Sequence, residues 1–517
     1  MARAGLTVAL AAALACTSGS KGGPGEAGLG RLVAGGDVRA LAASPDGAWL
    51  AYLEACSEAR MAFLPPRTAN CDLRVVSSGG GDALVVARAV TTLPHGFAWG
   101  PGGVLAALAG YDYGAGAGEL VLARGAGKGE TVAANVTFHG FVPGDREGKV
   151  AAIADGRLVV AAPGGARAWA GAADALGTFE LAPREGAGEV ALLLRRRATA
   201  GGALLAAPAG GATARLVAEG TGEYRFAPSG RAFAYTVRTS EGYELRLAAG
   251  PRTVALGRHA GAFAFAREGD AIAFVAGARP GKQGDLHVAG LDGGRGAVAG
   301  KEVGEFRWAA RAPRLAWLER YDPRVRAGTL GAGGPGVAAR TFASNVTDFD
   351  LSPDGKHLAW LQHTTRGGYS VDLALTALDA PADAKPAVVA QGVFGFDFSP
   401  DGAWLYYRTR CTRNAEACDL ERIPAAGLAP GAQPEAIAAG VKSFEFDPRD
   451  AGRLLVGFQR ADLPALDVAV WGGGKLVAVD RGVVPGTAQF LGPDSRRLAY
   501  AVLSPKRQGV YVAELAR

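Results

Sequence analysis

Residues 396–409 read FDFSPDGAWLYYRT, and this frame decides the fold. Phe396 and Phe398 alternate with Asp397, the two-residue period of a strand with one buried face. Ser399-Pro400-Asp401-Gly402 then makes a tight turn: proline presets φ, aspartate bonds locally, and glycine takes the left-handed position. Trp404-Leu405-Tyr406-Tyr407 resumes as a second strand. Clear copies stand at 41–54 (LAASPDGAWLAYLE) and 349–362 (FDLSPDGKHLAWLQ). Weaker copies occupy 97–108, 141–153, 179–194, 224–237, 263–276, 306–319, 444–458 and 490–503. That makes eleven frames, with turns spaced 39 to 56 residues apart. A third strand follows a variable loop in most frames, as in CDLRVV or YELRLA, and an edge-like fourth follows that, as in ALVVARAV. A four-strand unit repeating every 40–45 residues or so is the blade of a propeller. The chain ends on a third strand, VYVAEL (510–515), and opens on RLVAGG (31–36), which matches a fourth. The opening strand is therefore expected to complete the last unit and protect its edge.

Composition agrees. Among 517 residues there are 78 glycines and 28 prolines, without the G-x-y period of collagen, which suits many short strands and turns. The hydrophobic share of 49% and charged share of 20% exclude a disordered chain. A net charge of +6 spread over this length does not resemble a nucleic-acid-binding protein, so no nucleic-acid partner is expected.

The frame resembles the WD-repeat-like propeller repeats of TolB-type proteins over residues 31–517. The resemblance implies an all-β β-propeller of eleven four-stranded repeats. One ring usually holds 4–8 blades. Two rings are therefore expected, frames one to five in 31–259 and frames six to eleven in 260–517, with one large ring as the alternative. The mixed α/β domain that precedes the propeller in TolB has no counterpart in this reading, and the frame is silent about chemistry.

Residues 1–16, MARAGLTVALAAALAC, place Arg3 before an apolar run from Leu6 to Ala15 that is too short to span a bilayer. Ala12-Ala13-Leu14-Ala15-Cys16 resembles the lipobox of bacterial lipoproteins. That resemblance implies a signal peptide over 1–16, acylation of Cys16, a flexible Gly/Ser-rich tether over 17–30, and a body in the periplasm or at the cell surface. Thr17 stands where lipoproteins retained in the inner membrane often carry aspartate, which favours the outer membrane. The alternative is an ordinary cleaved signal peptide. Contact with the membrane is expected through the lipid anchor only.

Four further cysteines lie in two similar segments, each ending one strand and opening the next. This predicts disulfides Cys56–Cys71 and Cys411–Cys418, which persist in oxidising compartments. Zinc fits poorly, because neither pair has C-x₂₋₄-C spacing or a flanking histidine.

No nucleophile elbow, phosphate-binding loop or HExxH motif occurs, and no cofactor is expected. His95 and His139 each precede Gly-Phe at the start of a first strand. They are weak candidates for a metal pair near the channel mouth; the plainer expectation is a repeated histidine bonded to a neighbouring blade. Asp46, Asp354 and Asp401 belong to turn chemistry, and Trp49, Trp360 and Trp404 to the inter-blade core. Asn135-Val-Thr and Asn345-Val-Thr match glycosylation acceptors, which the lipoprotein reading treats as chance.

Loops between second and third strands share one face. In frames six to eleven they carry twelve basic against four acidic residues, Arg408, Arg410 and Arg413 among the basic ones. The longest such loop holds Met61-Ala-Phe63-Leu64-Pro-Pro66 between Cys56 and Cys71. Phe63 and Leu64 are expected to anchor a partner that the arginines steer. The sequence thus reads as a non-catalytic, lipid-anchored propeller scaffold of the cell envelope that binds an envelope protein or anionic envelope polymer. The alternatives are a propeller hydrolase or lyase with a channel-mouth site, and a glycan-binding module.

Overall fold

The computed structural model describes residues 28–58, 68–168, 176–182, 190–195, 202–208, 214–268, 270–279, 282–294, 296–363, 371–381, 383–412, 417–427, 433–460 and 462–515. Cys16, Phe63, Leu64 and Arg413 lie outside them. The chain is an all-β propeller. Among the described residues forty strands form antiparallel sheets, and the one helical turn is Pro101–Gly103.

Each turn forms as its residues dictate. In frame one Ser44 Oγ donates to Asp46 Oδ1 at 2.5 Å, Asp46 Oδ1 accepts from Ala48 N at 3.0 Å, and Ser44 Oγ accepts from Trp49 N at 2.9 Å. The same three bonds recur at Ser352/Asp354 and Ser399/Asp401. The Ser44 hydroxyl, together with the Ala48 amide, holds the Asp46 carboxyl below its ordinary range.

The second strand of each frame is apolar on both sides because it serves two cores. In Val104–Asp112, Leu105 and Ala107 pack with frame one, while Val104, Ala106 and Leu108 pack with frame three. Every pair of consecutive frames shares such a buried cluster, including frames five and six. A further cluster joins Leu50 and Tyr52 of frame one to Leu491 and Ala499 of frame eleven. The strand Arg31–Gly35 pairs antiparallel with Gly509–Glu514, so the opening strand does complete the last sheet.

Long strands carry the chain from one frame to the next. Glu130–Phe141, Arg215–Phe226, Val337–Leu351 and Glu435–Phe446 each pair with the third strand of one frame through their first half and the second strand of the next through their second. Each bends at a left-handed residue: Asn135 (φ 51), Gly220 (φ 68), Asn345 (φ 58) and Gly440 (φ 72). Asparagine tolerates that conformation better than most residues other than glycine. This geometry explains why asparagine stands at both glycosylation-like triplets.

Candidate functional site

First strands of neighbouring frames meet along the inner wall. Trp99 Nε1 donates to Ala42 O at 3.1 Å, and Trp308 Nε1 donates to Ala264 O at 3.1 Å. The Gln489 side chain accepts from Ala43 N at 3.0 Å and donates to Leu41 O at 3.1 Å, tying frame eleven to frame one.

The residue between the two core positions of each first strand is on the open side of this wall, and its character changes around the protein. Frames one, two and six place Ala42, Ala98 and Ala264 there. Frames seven to ten place Arg307, Asp350, Asp397 and Glu445, with Glu305 and Asp348 two residues earlier in frames seven and eight. Arg307 holds this group together. Its Nη2 lies 2.7 Å from Glu305 and 3.0 Å from Asp348, its Nη1 donates to Phe349 O, and its guanidinium sits 4.9 Å from the Phe349 ring centre.

One arginine does not neutralise this set of carboxylates. Asp397 is an exposed residue, yet burial of its carboxyl is the largest cause pushing its pKa up to about 6. Asp350 and Asp348 add to the rise, and Arg408 opposes it. Burial also raises Asp350, against the pull of the Leu351 amide and Arg307. A carboxyl raised in the folded state favours folding while it is protonated, so stability should fall as pH climbs from about 4 to about 6. Asp397→Asn should remove most of that fall. Melting temperatures across this window check it; an equal slope in both proteins would refute it.

The sequence-predicted positions are placed as follows. Both disulfides are formed, Cys56–Cys71 and Cys411–Cys418, across loops of 15 and 7 residues' separation. Chain entropy assigns each about 2–3 kcal/mol. His95 Nε2 lies 3.3 Å from the Tyr111 hydroxyl. Burial and the nearby His95 push His139 down to about 4, and its buried Nδ1 has no hydrogen-bond partner among the described residues. The two imidazoles thus share one stretch of wall, but no group of three His, Cys, Asp or Glu side chains is placed for a metal among the described residues.

Some of the loop arginines are matched by carboxylates. Arg410 pairs with Asp419 at 2.7 Å and with Glu421; Arg460 pairs with Asp462 at 2.6 Å and Asp467 at 3.2 Å. Arg408 donates to Lys442 O at 3.0 Å and covers the exposed Phe394 ring at 5.1 Å. Asp419, Glu421 and Asp467 stand on third strands, outside the loops, so a count of loop charge does not see them. The carboxylates of the inner wall were missed too. Their signal was the variable residue between the core positions of the first strand. Trp360 is buried between frames seven and eight, Trp49 packs on the core of frames one and two, and Trp404 carries the Arg422 guanidinium 3.9 Å from its ring centre.

No known protein family and no curated protein matches the chain. Among solved structures it is similar to a eukaryotic initiation factor, at 13% identity and a TM-score of 0.43, with 78% of this chain and 88% of that one covered. It is also similar to an oligogalacturonate lyase in complex with manganese, at 12% identity and a TM-score of 0.31, covering 66% and 97%. TolB from Acinetobacter baumannii aligns at 16% identity and a TM-score of 0.24, covering 48% and 65%. The lyase and TolB are propeller folds. At such values the likeness carries no functional argument, and any reading of function rests on the residues described above.

Proposed function

We propose that this chain is a non-catalytic propeller scaffold of the bacterial cell envelope, anchored by a lipid on Cys16, that binds an envelope protein or anionic envelope polymer. The observation that carries the scaffold reading is how the polar side chains of the wall and loops are used. Gln489, Trp99 and Arg408 spend hydrogen bonds joining one frame to the next, and Arg307 gives one of its own to Phe349 of the following frame. The two disulfides fit an oxidising compartment, as an exported protein meets.

We read residues 31–515 as one large ring of eleven blades rather than two rings divided near residue 259. Support comes from the cores between frames five and six and between frames eleven and one. Separate rings of five and six would instead need cores joining five to one and eleven to six.

The docking face in this reading is the loop side, with Phe63 and Leu64 as anchors and Arg408, Arg410 and Arg413 as steering charges. The ion pairs of Arg410 reduce its share. A second reading, a hydrolase or lyase acting from the channel wall, has one observation in its favour: the Asp397 carboxyl is raised to about 6, nearer the working pH of a general acid than an ordinary aspartate.

Capture from solubilised envelopes tests the first reading. Wild-type protein should retain a partner, and Phe63→Ala should lose it with an unchanged melting temperature. Cys16→Ser should move the protein from the membrane fraction to the soluble one. A Cys16→Ser protein that fractionates as wild type removes the anchor, and capture indifferent to Phe63→Ala and Arg408→Glu removes the docking face.

A further inference from the structure

The chain enters the fold at one place on the outer rim. Leu29 N donates to Val479 O at 2.9 Å on the fourth strand of frame ten. Arg31–Gly35 then pairs with frame eleven, and Arg31 Nη2 reaches Ser78 O of frame one at 3.5 Å. Within four residues the entering segment touches three frames.

Aliphatic side chains stand exposed around this point: Leu29 at 54%, Leu32 at 49%, Leu84 at 48% and Val477 at 45%. Single exposed aliphatics are ordinary. Here Leu29 lies beside the strand of Val477, and two exposed cations, Arg31 and Lys475, flank them with no carboxylate partner among the described ion pairs. Asp82 beside Leu84 tempers the charge on that side. Apolar side chains interspersed with cations suit the boundary between anionic headgroups and acyl chains.

We propose that this rim, formed by frames ten, eleven and one, rests on an anionic lipid surface. The anchor reading supplies part of the geometry. Eleven residues lie between Cys16 and Gly28. Fully extended, that stretch reaches at most about 40 Å. An acylated Cys16 therefore keeps this rim, the first part of the body the chain meets, close to the bilayer. A body hung that way needs only weak contact to hold a fixed attitude, and the loop face then stands at the side rather than against the membrane.

The test uses the chain from residue 17 onward, which lacks Cys16 and keeps every described contact, since these begin at Gly28. It is sedimented with vesicles of phosphatidylglycerol and phosphatidylethanolamine, or of phosphatidylcholine alone. Retention on the anionic vesicles, lost at high salt and absent on the neutral ones, is the expected result. Lys475→Ser and Val477→Ser should each weaken it about fivefold. Both residues are exposed, so the melting temperature should not move. Retention that ignores both substitutions, or no retention on anionic vesicles, overturns the proposal, whatever Cys16→Ser does to fractionation. A dimer in light scattering that the same substitutions abolish would make the rim a contact between copies and overturn it as well.

Discussion

Arg507→Ala should cost the folded protein about 3–5 kcal/mol, the largest effect expected of any single charge removed here. Asp480 is buried, its side chain 1% exposed, and Arg507 grips it with both terminal nitrogens at 2.8 Å. Tyr500 donates its hydroxyl to the same carboxylate at 2.8 Å, and Arg481 N donates at 2.7 Å. Removing the arginine leaves two donors but no countercharge for a group that cannot return to water. The pairing raises Arg507 above its ordinary range, and burial together with the adjacent carboxylate raises the Tyr500 hydroxyl. Equilibrium unfolding in urea checks the loss; a change below about 1 kcal/mol would mean that the site admits water when opened. Asp480 stands on the fourth strand of frame ten and Arg507 in the last loop of frame eleven, so the pair clamps two frames together beneath the entering segment.

Gly47→Ala tests the contact between frames one and eleven directly. Gly47 sits at φ +70 in the turn of frame one, and a Cβ there would lie 2.4 Å from Gly492 N and 2.8 Å from Gly492 Cα of frame eleven. Left-handed strain and overpacking against backbone together predict a loss of about 2–5 kcal/mol. Gly336 offers the control: its φ is +69, but nothing lies within 4 Å of its Cβ position. Gly336→Ala should therefore show only the left-handed cost, about 1–2 kcal/mol. If the two substitutions cost the same in urea unfolding, the turns of frames one and eleven do not touch.

Much of the fold was legible in the frame itself. The serine, aspartate and glycine of the turn act through bonds made within six residues, so their roles survive any tertiary context. The disulfide pairs were legible for the same reason, each closing one hairpin. The match of Arg31–Gly35 to a fourth strand was legible because an unfinished last unit needs one. The way frames pack in sequence was not. A second strand such as Val104–Asp112 is apolar on both faces whichever neighbours it meets, so its pattern does not say how many frames make a circle. The balance of the loop face was not legible from its loops alone, because Asp419, Glu421 and Asp467, which answer Arg410 and share Arg460 with the loop residue Asp462, sit on strands, where alternation reads them as solvated. The inner wall escaped for a related reason. One charged residue per strand looks like an ordinary outward position until neighbouring first strands bring Asp348, Asp350 and Asp397 together.

The antiparallel pairing of Arg31 with Val512 also governs the order of assembly. The first strand of the body to leave the ribosome has no partner until the last has been made. Nearly the whole sequence must be looped before that contact forms, and closing so long a loop is slow. Throughout that interval the edge of Gly509–Glu514 has open hydrogen-bonding groups that another chain can occupy. A nascent or thermally opened molecule should therefore misassemble first at this seam. A free peptide spanning 28–36, supplied during refolding, should compete with such aggregation.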